Sequence, residues 1–130
     1  MEITVHLPGG RAVEAVVGDH IVRTDQPVED GGGGTAPSPS DLFLASIAAC
    51  AGYYVLDFCL ERKIPTEGLG VVMRTSKNES TRMLDLIRIE IELPPQFPEK
   101  YEKAVIRAAD LCWVKKHVEK APVFETVVIR

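Results

Sequence analysis

Positive charge is in short supply in this 130-residue chain: 15 basic against 19 acidic residues leave a formal charge of −4. Nucleic-acid binders normally show a basic face, so that class of partner is not expected. Cysteine is scarce as well. Three in 130 residues make no disulfide scaffold, and the odd number leaves at least one thiol unpaired. No Cys-x-x-Cys or His-x-x-x-His pair occurs, Cys112 and His117 are five apart, and His6 and His20 are distant, so no metal centre is expected. The three histidines sit in no cysteine-protease signature. No Gly-Lys-Ser/Thr follows the glycine-rich stretch, which leaves a phosphate-cradling loop unsupported, and no other motif asks for a cofactor. The longest uncharged apolar run, Leu42 to Leu56 between Asp41 and Asp57, is 15 residues, short of the ~18 that would span a bilayer. The first ten residues alternate in polarity and hold no apolar signal core. The expectation is a cytoplasmic chain with no membrane partner, its thiols held reduced unless redox chemistry is their task.

With 45% hydrophobic and 26% charged residues, the chain can build a core, and its length fits one domain over residues 1–130. Glu2–His6, Arg11–Val17 and His20–Thr24 read as short strands punctuated by Pro8-Gly9-Gly10 and Gly18-Asp19. Four consecutive glycines, Gly31 to Gly34, predict a mobile loop. Ser38 then offers an N-cap, Pro39 a first helical residue and Asp41 an acid in the first turn. The helix they open should run to about Arg62 or Lys63, before Pro65, and is apolar on nearly every side. Strands at Val71–Thr75 and about Met83–Leu93 follow. The second alternates Ile87, Ile89, Ile91 and Leu93 with Arg88, Glu90 and Glu92, as an antiparallel strand with one wet face does. A second helix is expected over Pro98 to about Glu119, with Tyr101, Val105, Ala108 and Cys112 on one stripe, and a last strand over Val123–Ile129. The order βββ-α-ββ-α-β describes an α+β fold around a central apolar helix.

Cys50 and Cys59 lie nine residues apart on the first helix, about 180° around it, so they cannot react with each other. Cys50 and Cys112 both lie on faces expected to pack inward and could meet where the helices pack. Buried cysteine otherwise serves as a small hydrophobe. A thiol in the middle of an apolar helix has its pKa raised and has no access to that helix's N-terminal dipole. Cys50 therefore calls for a cation delivered from elsewhere.

The segment Gly31-Gly32, then Ala36-Pro37-Ser38-Pro39-Ser40-Asp41-Leu42-Phe43-Leu44-Ala45-Ser46-Ile47-Ala48-Ala49-Cys50, resembles the helix-opening signature of the OsmC/Ohr family. Arg107-Ala108-Ala109-Asp110-Leu111-Cys112-Trp113-Val114-Lys115 resembles that family's second-cysteine segment. The resemblance covers nearly the whole chain. It implies an intertwined homodimer and thiol-dependent reduction of organic hydroperoxides. Cys50 would be the peroxidatic residue and Cys112 the resolving one, with a dithiol such as a lipoylated protein as reductant. Gly9-Gly10-Arg11 is similar to the family's Gly-Gly-Arg turn, which makes Arg11 the first candidate for the activating cation and Arg23 the second. The Ohr and classical OsmC branches place a glutamate ten residues before the first cysteine. Here that position is Ser40, and the nearest acid is Asp41, as in a more divergent branch. Asp57, seven residues past Cys50, is another carboxylate on nearly the same face. Tyr53, Tyr54 and Phe43 are candidates for walling an apolar substrate pocket. Trp113 beside Cys112 reads equally as packing. The alternative function is a non-catalytic dimer on the same scaffold that binds a small apolar or electrophilic molecule.

Overall fold

The computed structural model describes residues 1–130 and confirms the mixed α+β class with antiparallel sheets; it has three α-helices where two were expected. The chain forms two compact units, 1–45 and 46–130. In the first, β1 (Thr4–Gly9), β2 (Ala12–Val17) and β3 (His20–Thr24) pair antiparallel in the order β1-β2-β3. Pro8 lies in the edge strand and cannot donate to the ladder, and the β1–β2 register shifts between His6 and Gly9.

The glycine-rich stretch is an ordered turn, not the mobile loop its composition suggests. Asp25, buried at the end of β3, holds it by accepting hydrogen bonds from the amides of Gln26 (2.7 Å), Gly33 (3.2 Å) and Thr35 (3.2 Å) and from the Thr35 hydroxyl (2.7 Å). These bonds, the Thr35 hydroxyl's first, hold the Asp25 carboxyl at about 2, below its ordinary 3.8. The amides of Gly32 and Gly34 donate to the carbonyls of Pro27 and Gln26, both at 3.0 Å. Glycine is required by contact as well as conformation. A Cβ on Gly32 would stand 2.0 Å from the Gln26 carbonyl oxygen, and Gly31 has φ +85°.

The central helix, α1 (Pro39–Glu61), begins as its sequence predicts. Asp41 N–H donates to Ser38 Oγ (3.2 Å) and Ser38 N–H donates to the Asp41 carboxylate (3.1 Å), a reciprocal cap. Taken whole, its 23 residues are long and apolar enough to cross a membrane, with mean hydropathy 1.7 over the most apolar stretch, although the uncharged run alone is too short. The core helix of a soluble protein passes the same test, and Ile47, Ala51, Val55, Phe58 and Cys59 of α1 are buried here.

In the second unit β4 (Gly70–Lys77) and β5 (Leu84–Glu92) pair antiparallel, with Val71 opposite Ile91 and Met73 opposite Ile89. Val71, Ile91 and Leu93 pack against a core of Val55, Phe58, Cys59, Ile64, Phe97, Val105 and Ala109. On the wet face Arg74 pairs with Glu90 at 3.1 Å.

Two further expectations are corrected. The second helix is not continuous: a 3₁₀ turn (Glu99–Tyr101) leads into α2 (Glu102–Ala109), and after a break at residues 110–112 a separate α3 (Trp113–Glu119) begins. Cys112 leaves helical conformation at φ −46°, ψ 119°, and its sulfur takes the role of N-cap by accepting the Lys115 N–H at 3.3 Å. Residues 121–130 form no strand, and Val123, Phe124, Val127, Val128 and Ile129 are exposed. A strand needs a neighbouring backbone to pair with, and this segment has none within the chain.

Candidate active site

Cys50 lies on α1 and Cys112 at the head of α3, and the structure brings the two thiols together, with the Cys112 S–H hydrogen-bonded to the Cys50 sulfur. Cys112 is fully buried and Cys50 partly so. The break before α3 then matters for chemistry. The first amides of a helix have no intrahelical carbonyl to bond, and those of Val114 and Trp113 turn to Cys50 instead. Burial pushes the Cys50 thiol up, but the hydrogen bonds from the Cys112 thiol, Val114 N–H and Trp113 N–H together outweigh it, and the net shift is downward from the ordinary 9.0. Cys112 moves the opposite way. Burial raises it most, then its donated hydrogen bond to Cys50, while the Lys115 and Val114 amides oppose the rise.

The two shifts run in opposite directions, so Cys50 gives up its proton more readily than Cys112. The expectation that only a distant cation could activate Cys50 missed these amides, because a continuous helix would have spent them on the carbonyls four residues back. The one signal in the sequence was Cys112 itself, a side chain able to cap a helix start.

The other candidates are placed as follows. Arg11, in the turn between β1 and β2, lays its guanidinium against the Gly31 backbone, so close that a Cβ there would come within 2.8 Å of Nε. Arg23 pairs across the sheet with Glu14 at 3.2 Å and is mostly exposed. Asp41 is engaged in the α1 cap, two and a half turns before Cys50 on the same helix. Asp57 is half-buried and forms no ion pair. Tyr53 is exposed on α1, its ring edge-on to Tyr54 with 5.4 Å between centroids, and Phe43 is exposed near the helix start. Cys59 is fully buried in the core, where burial raises its pKa despite Arg62 nearby.

A cavity of about 410 Å³ opens between α1, β5 and the α2–α3 junction, and neither cysteine lines it. Ile47, one turn before Cys50, and Lys115, one turn after Cys112, both line it, with Ile87, Ile89 and Val118. Phe43, Tyr53 and Tyr54 do not. The arrangement can form a thiolate, accept a second thiol against it and admit an apolar molecule nearby.

Comparison with known proteins gives this geometry a context. The model of the family described as OsmC-like protein matches residues 31–127. No curated protein matches the chain significantly. Among solved structures, a protein from Psychrobacter arcticus assigned to the osmotic-stress-induced and detoxification response superposes with a TM-score of 0.73. It is 24% identical, over 88% of this chain and 85% of that one. A Legionella pneumophila protein named as organic hydroperoxide resistance protein OsmC gives 0.57 at 21% identity, covering 91% and 89%. A Vibrio cholerae protein assigned to organic hydroperoxide resistance, with captopril in one of its active sites, gives 0.55 at 19%, covering 90% and 84%. At these identities the structures speak for the fold, and the family match reaches well over half of the sequence. The chain belongs to the OsmC-like protein family.

Proposed function

We propose that the protein is a thiol-dependent peroxidase that reduces organic hydroperoxides. The observation that carries this reading is the Cys50–Cys112 pair, set against the first amides of α3, with the two thiols shifted in opposite directions. The Cys50 thiolate attacks the terminal peroxide oxygen. The O–O bond breaks, the alkoxide leaves and takes a proton as the alcohol, and Cys50 becomes a sulfenic acid. Oxidation removes the thiolate charge that had helped to hold Cys112 protonated. Cys112 then displaces hydroxide from the sulfenic sulfur, water is released and a disulfide forms. A dithiol, such as that of a lipoylated protein, attacks the disulfide; its second thiol completes the exchange and returns both cysteines to the reduced state. Arg11 and Asp41 enter this reading as the candidate cation and carboxylate on the family pattern. A reducing cytoplasm fits the cycle, because it restores the thiols after each turnover.

A second copy of the chain belongs to the same reading. Tyr53, Leu56 and Leu60 form an exposed apolar stripe on α1, and the apolar residues of 121–130 have no cover within the chain. A homodimer gives both an apolar surface to pack on.

The alternative of a non-catalytic binding protein calls for a Cys50 thiol above its ordinary value, and the direction of its shift favours catalysis. The test is consumption of cumene hydroperoxide with a dithiol. Turnover in the wild type and none in Cys50→Ser support the reading, while equal rates in the two refute it.

A further inference from the structure

The catalytic reading rests on where α3 begins, and a further residue holds that start in place. Lys115 is the third residue of α3, close to the positive end of the helix dipole, where a cation is electrostatically unwelcome. Its ammonium reaches back across the break to Asp110 Oδ1 at 2.5 Å and forward to Glu119 Oε1 at 3.7 Å. Its backbone N–H meanwhile donates to Cys112 Sγ at 3.3 Å. Asp110 is the C-cap of α2 and the first residue of the break, so one side chain ties the end of α2 to the helix after it. We propose that Lys115 is a positioning residue: by bridging Asp110 and Glu119 it fixes the first turn of α3 so that the Trp113 and Val114 amides face the Cys50 sulfur.

Lys115 lies along the wall of the cavity, and the groups that lower the Cys50 thiol are the Cys112 thiol and the two amides. The carboxylates, Asp110 first, hold the ammonium protonated above the ordinary lysine value, so the bridge persists at any pH where the thiols titrate. The other charged group lining this cavity, Asp85 of β5, accepts a hydrogen bond from Ser76 Oγ at 2.6 Å. A partly exposed ion pair adds little to stability, so what the bridge supplies is geometry.

Because this inference rests on the thiol chemistry above, the test reads the thiol and not turnover. The pH profile of Cys50 alkylation by iodoacetamide, resolved by peptide mass spectrometry, is compared in the wild type, Lys115→Met, Lys115→Arg and Asp110→Asn. Lys115→Met is expected to move the Cys50 midpoint upward, with about a tenfold loss of alkylation rate at pH 7 for each unit of rise. Lys115→Arg restores most of it. Asp110→Asn separates positioning from simple charge. Deleting a nearby negative charge would lower the midpoint, whereas loosening α3 raises it. A rise in Asp110→Asn supports the proposal, and it carries the test alone should Lys115→Met fail to fold. An unchanged or lowered midpoint in Asp110→Asn overturns the proposal. A moved midpoint in a protein that reduces no peroxide would refute the peroxidase reading and leave the Lys115 assignment standing.

Discussion

The Cys112 thiol donates its hydrogen bond to Cys50, and the Cys112 sulfur also accepts the Lys115 amide that opens α3. One side chain therefore serves both as the neighbour of the reactive sulfur and as a helix cap. Replacing it separates the roles. Cys112→Ala removes donor and cap together, so the Cys50 midpoint should rise and the fold should lose about 1 kcal/mol, measured by thiol titration and urea unfolding. Cys112→Ser keeps a hydroxyl that donates and caps, and its Cys50 midpoint should stay below that of Cys112→Ala.

The lowered Cys50 pKa sets a pH dependence. Thiolate accumulates as pH rises through a value below the ordinary 9.0, so single-turnover oxidation by cumene hydroperoxide should climb with pH and bend over at a lower pH than an unperturbed thiol would. Stopped-flow measurement of Trp113 fluorescence, beside Cys112, follows that limb. A rate still rising tenfold per pH unit at pH 9 would mean that Cys50 is not activated.

Asp25 gives the fold its own acid limb. Its native value of about 2 lies below the ordinary 3.8, so its contribution is complete above about pH 4 and is lost as pH falls toward 2. Asp25→Asn should melt at a lower temperature than wild type at pH 7, and the difference should shrink near pH 2.5. Thermal melts at the two pH values check this, and a constant difference would contradict it.

The tetraglycine turn makes a steric prediction. Gly32→Ala drives a methyl group onto the Gln26 carbonyl and should cost about 1–3 kcal/mol, read as a lower urea midpoint with unchanged slope.

How far the sequence could be read depended on whether its signals were local. Ser38, Pro39 and Asp41 announced the start of α1, because a reciprocal cap is written within four residues. The alternation of Ile87, Ile89 and Ile91 identified β5 for the same reason. Cys50 and Cys112 could be placed together because both faces pointed inward, and the family resemblance named them as a pair. The break at residues 110–112 escaped notice. No proline or glycine marks it, the stripe of Tyr101, Val105, Ala108 and Cys112 runs straight through it, and the cap is a cysteine sulfur. The tetraglycine stretch misled in the opposite direction, since the hydrogen bonds that order it come from Asp25, outside the run of glycines. Val123–Ile129 has the composition of a strand, but composition cannot supply a pairing edge.

The central claim is that Cys50 and Cys112 form one redox pair while Cys59, sealed in the core, stays outside it. Mass spectrometry of peptides quenched seconds after one equivalent of cumene hydroperoxide tests it most directly. The account predicts a Cys50–Cys112 disulfide in the wild type, a trapped Cys50 sulfenic acid in Cys112→Ser, and an unmodified Cys59 in both. Reduced Cys50 and Cys112 after exposure, or a disulfide involving Cys59, would contradict it.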